Sequence, residues 1–191
     1  DLTFAATINA VLHANATPVI ADIDSQSWCI DSVEIENAIT PKTKAIIPVH
    51  LYGQACDMDS IMILAKKYNL KIIEDYAEAH GAEFKNKKVG SFGDIGCFSF
   101  YGNKVLTTGE GGMCTTNSSK INDQLRLFRD HGMSKSKRYF HEVIGFNYRM
   151  TNLQAAIGVG QLERIDEIHK NRSSYESLYK KVMSGKPFEF Q

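Results

Sequence analysis

Short apolar runs alternate with stretches of helical spacing along most of this chain, and that alternation constrains the fold more than any other feature. The runs at residues 18–23, 44–49, 70–74, 95–98 and 112–115 are each four to six residues long. They suit strands, and the gaps between them suit helices, so the sequence predicts an α/β domain with a mainly parallel sheet flanked by helices. Asp57 can cap a helix running through Tyr68, with Ile61, Leu64, Ala65 and Tyr68 on one apolar face. Asn117 or Ser118 can open another, ending near Arg129 and closed by Gly132. Thr151 and Gln154 form a capping-box pattern ahead of a long helix whose apolar face continues through Ile157, Leu162, Ile165 and Ile168. Residues 133–149 lack periodicity and read as an extended loop or hairpin.

The balance of 22 basic against 22 acidic residues leaves no electrostatic pull towards nucleic acid or a membrane surface, and 43% hydrophobic content is enough to bury a core. No apolar run approaches the roughly 20 residues of a membrane span, and no charged-then-apolar leader opens the sequence. A soluble globular protein of the cytoplasm is the expectation. Cys29, Cys56, Cys97 and Cys114 lack CxxC spacing, so they read as buried thiols. The six histidines show no HExxH or paired spacing, so no metal site is expected.

The chemistry concentrates between residues 72 and 113. Asp75 closes one apolar run, Ser99 follows another, and Lys104 lies in the glycine-bearing turn after it. Taken singly, a strand-end Asp serves as a helix cap and a loop Lys as a solvated charge. Taken together, an acid that can face a protonated ring nitrogen and a lysine that can form an imine with a carbonyl suit pyridoxal phosphate. In open α/β sheets ligands gather at the carboxyl ends of strands, so Asp75 and Ser99 should face one crevice.

The segments EDYAEAHGA (residues 74–82) and SFYGNKVLTTGEGG (residues 99–112) resemble the cofactor-ring and lysine motifs of the DegT/DnrJ/EryC1/StrS sugar-nucleotide aminotransferases. The resemblance covers almost the whole chain. It implies a fold-type I, aspartate aminotransferase-like large domain over residues 1–150, with residues 151–191 forming a long helix that leads towards a smaller C-terminal domain. Both ends read as cut, because the family's upstream Gly-Thr turn and its C-terminal domain have no counterpart here.

By the same resemblance Lys104 holds the cofactor as an imine and then moves the proton, and Asp75 pairs with the ring nitrogen. Glu78 contacts the ring hydroxyl side, Ser99 binds the phosphate, Phe4 stacks on the ring, and Asn147 reaches the phosphate of a neighbouring subunit. Glu78, Ser99 and Phe4 have plainer alternatives: an exposed helix Glu, a serine bonded to its own backbone and a core aromatic. His50 and His80 stay outside the catalytic set. GEGG, residues 109–112, lacks both GxGxxG and GxxxxGK[ST] and reads as a turn rather than a phosphate cradle. Arg126, Arg129, Lys135, Lys137, Arg138 and Arg149 can attract a nucleotide diphosphate or simply form a solvated face, and Arg149, beside Asn147, is the one to test.

The implied function is amino transfer from L-glutamate to a nucleotide-linked 4-keto-6-deoxy sugar by a homodimer with shared sites. Residues 131–158 are most similar to the perosamine synthases, which aminate GDP-4-keto-6-deoxymannose. Relatives that remove a sugar hydroxyl carry His where this chain has Lys104, which favours amination over dehydration. A noncatalytic cofactor-binding or dimer-forming fragment is the other reading.

Overall fold

The computed structural model describes residues 2–187. In chain order its elements are α1 (Ala5–His13), α2 (Ser32–Ala38), β1 (Ala45–Ile46), α3 (Met58–Tyr68), β2 (Lys71–Asp75), β3 (Glu83–Phe84), β4 (Lys87–Lys88), β5 (Ile95–Ser99), β6 (Gly112–Thr115), α4 (Ser119–Arg129), α5 (Asn152–Leu162) and α6 (Ile165–Met183). The main sheet has the order β1-β2-β5-β6. β1, β2 and β5 are parallel, and β6 returns antiparallel to β5. The expected mainly parallel sheet with flanking helices is therefore present.

Local chemistry explains most of the boundaries. Asp57 accepts from the Ser60 N–H and starts α3, which places Met58, Ile61, Leu64 and Ala65 in the core. Tyr68 does not join them: it is exposed and donates its hydroxyl proton to Glu36. The α3 residues pack with Ile46 on β1, Ile72 on β2, Ile35 on α2 and the buried Cys29 and Cys56. Full burial of a side chain such as Met58 or Ile61 stabilises the fold by roughly 1.5–3 kcal/mol. A second cluster, Tyr76, Ala79 and Val89 with Phe98 against them, lies beneath the carboxyl ends of β2 and β5. Ser118 caps α4, and at α5 both hydrogen bonds of the Thr151–Gln154 capping box are made.

Four expectations need correction. Residues 18–23 form no strand, only a bridge from Ile23 to Ile30, and Val19 and Ile20 stay exposed because no described strand lies beside them. The run at 44–49 is paired continuously only at Ala45 and Ile46; Pro48 lacks the N–H that a ladder needs, and Val49 rejoins as a bridge to Asp75. The long helix after Thr151 is two helices, broken at Glu163 and Arg164; Arg164 stands just before α6, makes no side-chain cap, and clasps Glu167 one turn in. On that segment Ile157 and Leu162 are exposed, and nothing among the described residues covers them. The cysteines divide: Cys29 and Cys56 are buried, but Cys97 is half-buried and Cys114 exposed. The loop reading of 133–149 holds, with antiparallel bridges Met133–His141 and Asp130–Asn147.

Candidate functional site

Asp75, the last residue of β2, is half-buried at the carboxyl edge of the sheet. Its Oδ2 accepts from Thr7 Oγ1 at 2.6 Å and its Oδ1 from the Ala77 N–H at 3.1 Å. The carboxylate is thus steered from two sides before any ligand arrives. Thr7 lies on α1, one turn beyond Phe4, whose carbonyl accepts the Thr7 N–H. Phe4 is 71% exposed at the start of that helix, so its ring is not a core residue among the described residues.

The backbone under Asp75 is fixed by its neighbour Glu74, which is fully buried. Glu74 Oε1 accepts from the N–H groups of Phe92 and Gly93 at 2.7 and 2.6 Å. Its Oε2 accepts from the Gly90 N–H at 2.6 Å and faces His50 Nε2 at 3.2 Å. His50 Nδ1 accepts from the Cys56 N–H, which assigns the ring proton to Nε2 and makes His50 the donor to Glu74. Burial pushes the Glu74 carboxyl up, but the hydrogen bonds from His50, Gly93 and Gly90 outweigh it and hold the group below its ordinary range. Glu74 is a structural anchor, and it ties the ends of three segments together directly behind Asp75.

Lys104 lies on the connection between β5 and β6, with its side chain 15% exposed. Its Nζ is 3.4 Å from Glu78 Oε1, and the other Glu78 oxygen accepts from the Tyr52 N–H at 3.2 Å. Tyr52 sits at φ 51° and ψ 23°, in the left-handed region, inside a single turn at Leu51–Gly53. The HLYGQ segment therefore reaches the lysine through the Glu78 carboxylate. The lysine loop is held from beneath: Leu106 N–H donates to His80 Nδ1 at 3.3 Å, Thr107 N–H donates to Gln161 Oε1 at 3.1 Å, and Gln161 Nε2 donates to the Thr107 carbonyl. Gly111, at φ 148°, permits the tight return, since an added Cβ would stand 2.6 Å from Thr108 Oγ1.

Ser99 ends β5 and its Oγ accepts from the Tyr101 N–H at 3.3 Å, which leaves the hydroxyl proton for a further acceptor. Asp75 and Ser99 thus close adjacent strands at one sheet edge, and Glu78 and Lys104 meet there. Asn147 does not join them: it is exposed and its backbone pairs with Asp130. Arg149 is likewise engaged with Asp130, at 3.3 Å, and Lys135 with Asp123. Sequence reasoning missed Thr7, Glu74 and the Tyr52 amide. Only Thr7 left a signal, its spacing of one helical turn from Phe4.

Residues 1–190 match the profile of the DegT/DnrJ/EryC1/StrS aminotransferase family. The chain belongs to that family. It is 55% identical over 167 residues to the GDP-perosamine synthase of Caulobacter vibrioides, covering 87% of this chain and 45% of that protein. The Helicobacter pylori aminotransferase PseC superposes with a TM-score of 0.92 at 36% identity, over 97% of this chain and 50% of that one. A sugar aminotransferase described as Spr1654 from Streptococcus pneumoniae, in a PLP form, superposes at 0.87 with 30% identity, over 96% and 52% of the two chains. The chain spans about half the length of the relatives it matches.

Enzymes of this family use pyridoxal 5′-phosphate. The residues present fit that group: a carboxylate preset at a strand end, a half-buried lysine amine held by Glu78, and a serine hydroxyl with a proton to give. Among the described residues no cluster of His, Cys, Asp or Glu is arranged to hold a metal ion, and no helix is long and apolar enough to cross a membrane.

Proposed function

We propose that the protein carrying this chain transfers an amino group from L-glutamate to the keto carbon of a nucleotide-linked 4-keto-6-deoxy sugar, as a perosamine synthase does. The observation that carries this reading is the meeting of Lys104 with Glu78 at the sheet edge where Asp75 is preset by Thr7. The 55% identity to a GDP-perosamine synthase supports GDP as the nucleotide.

When bound, pyridoxal 5′-phosphate supplies an aldehyde and a protonated ring that draws electrons from the bond being broken. The residues of this chain do the rest. Asp75 would hold the proton on the ring nitrogen. Ser99 would donate its hydroxyl to the phosphate, and Phe4 would lie against the ring. Lys104 Nζ would hold the aldehyde and, when free, carry the proton as base and acid. Glu78 orients Lys104 and is itself oriented by the Tyr52 amide. Asn147, exposed and away from this group, reaches the phosphate of a second subunit in a homodimer. Residues 1–150 belong to the cofactor-binding domain, and α5 and α6 lead from it towards a smaller one. The protein works in the cytoplasm and its product enters surface polysaccharide, as in O-antigen assembly.

The test is the visible absorbance of the protein with added pyridoxal 5′-phosphate, followed by borohydride reduction, peptide mapping and assay with GDP-4-keto-6-deoxymannose and glutamate. A reduced cofactor on Lys104, lost in Lys104→Ala, with formation of the amino sugar is the expected result. No adduct at Lys104 overturns the cofactor assignment. An adduct with loss of a sugar hydroxyl, and no amino sugar, overturns amination in favour of dehydration. An adduct with neither product sinks the catalytic reading and leaves a binding or dimer-forming domain.

A further inference from the structure

Cys97 on β5 and Cys114 on β6 are directly opposite each other in the antiparallel pair. The register fixes what kind of pair they are. Phe100 N–H donates to the Gly111 carbonyl, so 100 and 111 are a hydrogen-bonded pair. Such pairs alternate with narrow ones along an antiparallel ladder, which makes 97 and 114 a narrow, non-hydrogen-bonded pair. Cα atoms in narrow pairs stand about 4.5 Å apart, within the roughly 4.4–6.8 Å that a disulfide spans. Opposite residues project to the same sheet face, so the two thiols lie side by side on one face of the sheet.

The two sulfurs are not equivalent. The neighbouring Cys97 thiol lowers the Cys114 pKa to about 7 despite the opposing effect of burial. Cys114 and burial together push the Cys97 thiol up. Cys114 is also the exposed member of the pair and Cys97 is half-buried. One cysteine is therefore placed to attack and the other to resolve. Their position has a bearing on the site: Cys97 is the β5 partner of Asp75 on β2, and Ser99 lies two residues further along the same strand.

We propose that Cys97 and Cys114 form a reversible dithiol–disulfide site that takes low-molecular-weight disulfides as oxidant. Cys114 thiolate attacks one sulfur of the small disulfide; a mixed disulfide forms and one small thiolate leaves, taking up a proton from solvent. Cys97 then loses its proton, attacks the Cys114 sulfur and expels the second small thiolate, which is protonated in turn. The protein loses two electrons and two protons, and one small disulfide becomes two small thiols. Cys29 and Cys56 are 2% and 0% exposed and form the built-in control, since a small disulfide has no access to them.

The experiment is incubation of the native protein with oxidised glutathione across a range of glutathione ratios, followed by denaturation, thiol counting and peptide mapping without reduction. The expected result is a fall from four free thiols to two, one linked peptide pair joining 97 to 114, and full recovery on adding reduced glutathione. Cys97→Ser should halt at glutathione attached to Cys114, and Cys114→Ser should remain reduced at 97. Four free thiols throughout, a link involving Cys29 or Cys56, or glutathione retained on wild-type Cys114 without the internal link each overturn the proposal.

Discussion

Lowering the pH from 7 to 5 should weaken this fold through one residue, His80. Its ring is 5% exposed, sits against Phe98 and Phe100 at centroid distances of 5.2 and 5.9 Å, and accepts the Leu106 N–H at Nδ1. Burial is the largest influence on it and lowers its pKa from 6.5 to about 4; the charges of Lys104 and Arg172 and the neighbouring His169 act in the same direction, and the Ser99 backbone opposes them. Because the folded value lies below the unfolded one, the unfolded chain takes up the proton first. The His80 contribution is whole above pH 6.5, is lost as the pH falls towards 4, and changes no further below that. Between pH 7 and pH 5 the two pKa values give a loss of about 2 kcal/mol, a large share of the 5–15 kcal/mol typical of a domain. The assay is urea unfolding of the wild type and of His80→Asn at both pH values, the Asn oxygen being able to replace Nδ1 as acceptor for Leu106. Subtracting the variant removes every other titrating group. Equal pH dependence in the two proteins, or an NMR titration of His80 centred near 6.5, would refute the reasoning.

Three further outcomes follow from the site. Glu74→Ala should cost about 3–5 kcal/mol in urea unfolding, because it strands three N–H donors and the His50 ring in the core. Asp75→Asn keeps an acceptor for Thr7, so its unfolding midpoint should barely move, while kcat falls on the order of 100-fold; a large stability loss with intact kcat would mean the carboxylate is structural. Gly90→Ala should destabilise by at least about 2 kcal/mol, since Gly90 has φ 81° and an added Cβ would overlap the Tyr76 ring; thermal unfolding checks this.

The sequence made the strand ends legible because each apolar run stops at a residue with chemistry of its own: Asp75 after IIE, Ser99 after GCF. Caps were equally legible, since Asp57, Ser118 and Thr151 act on neighbours a few residues away. What escaped depends on partners distant in sequence. Thr7 meets Asp75 across 68 positions, and Glu74 looks like one more charged residue until the loop carrying Gly90 and Gly93 folds over it. The β3–β4 hairpin was hidden for another reason: Lys85 and Asn86 take its positive φ values of 49° and 62° without a glycine to mark the turn. Val19 and Ile20 read as a strand because composition cannot say whether a neighbour is there to pair with.

The antiparallel return of β6 also bears on the order in which the site can assemble. β5 and β6 are joined by residues 100–111 alone, whereas β1 reaches β2, and β2 reaches β5, only through longer crossovers. Short-range pairings close at lower entropic cost and earlier than long-range ones. The β5–β6 pairing can therefore form early, but the loop carrying Lys104 gains its supports only when His80, from the chain before β5, and Gln161, from α5, come to meet it. A chain stalled between these events would have its strands paired around a loop still free to move. Strand pairing and the final setting of the Lys104 amine would then be separate moments of folding.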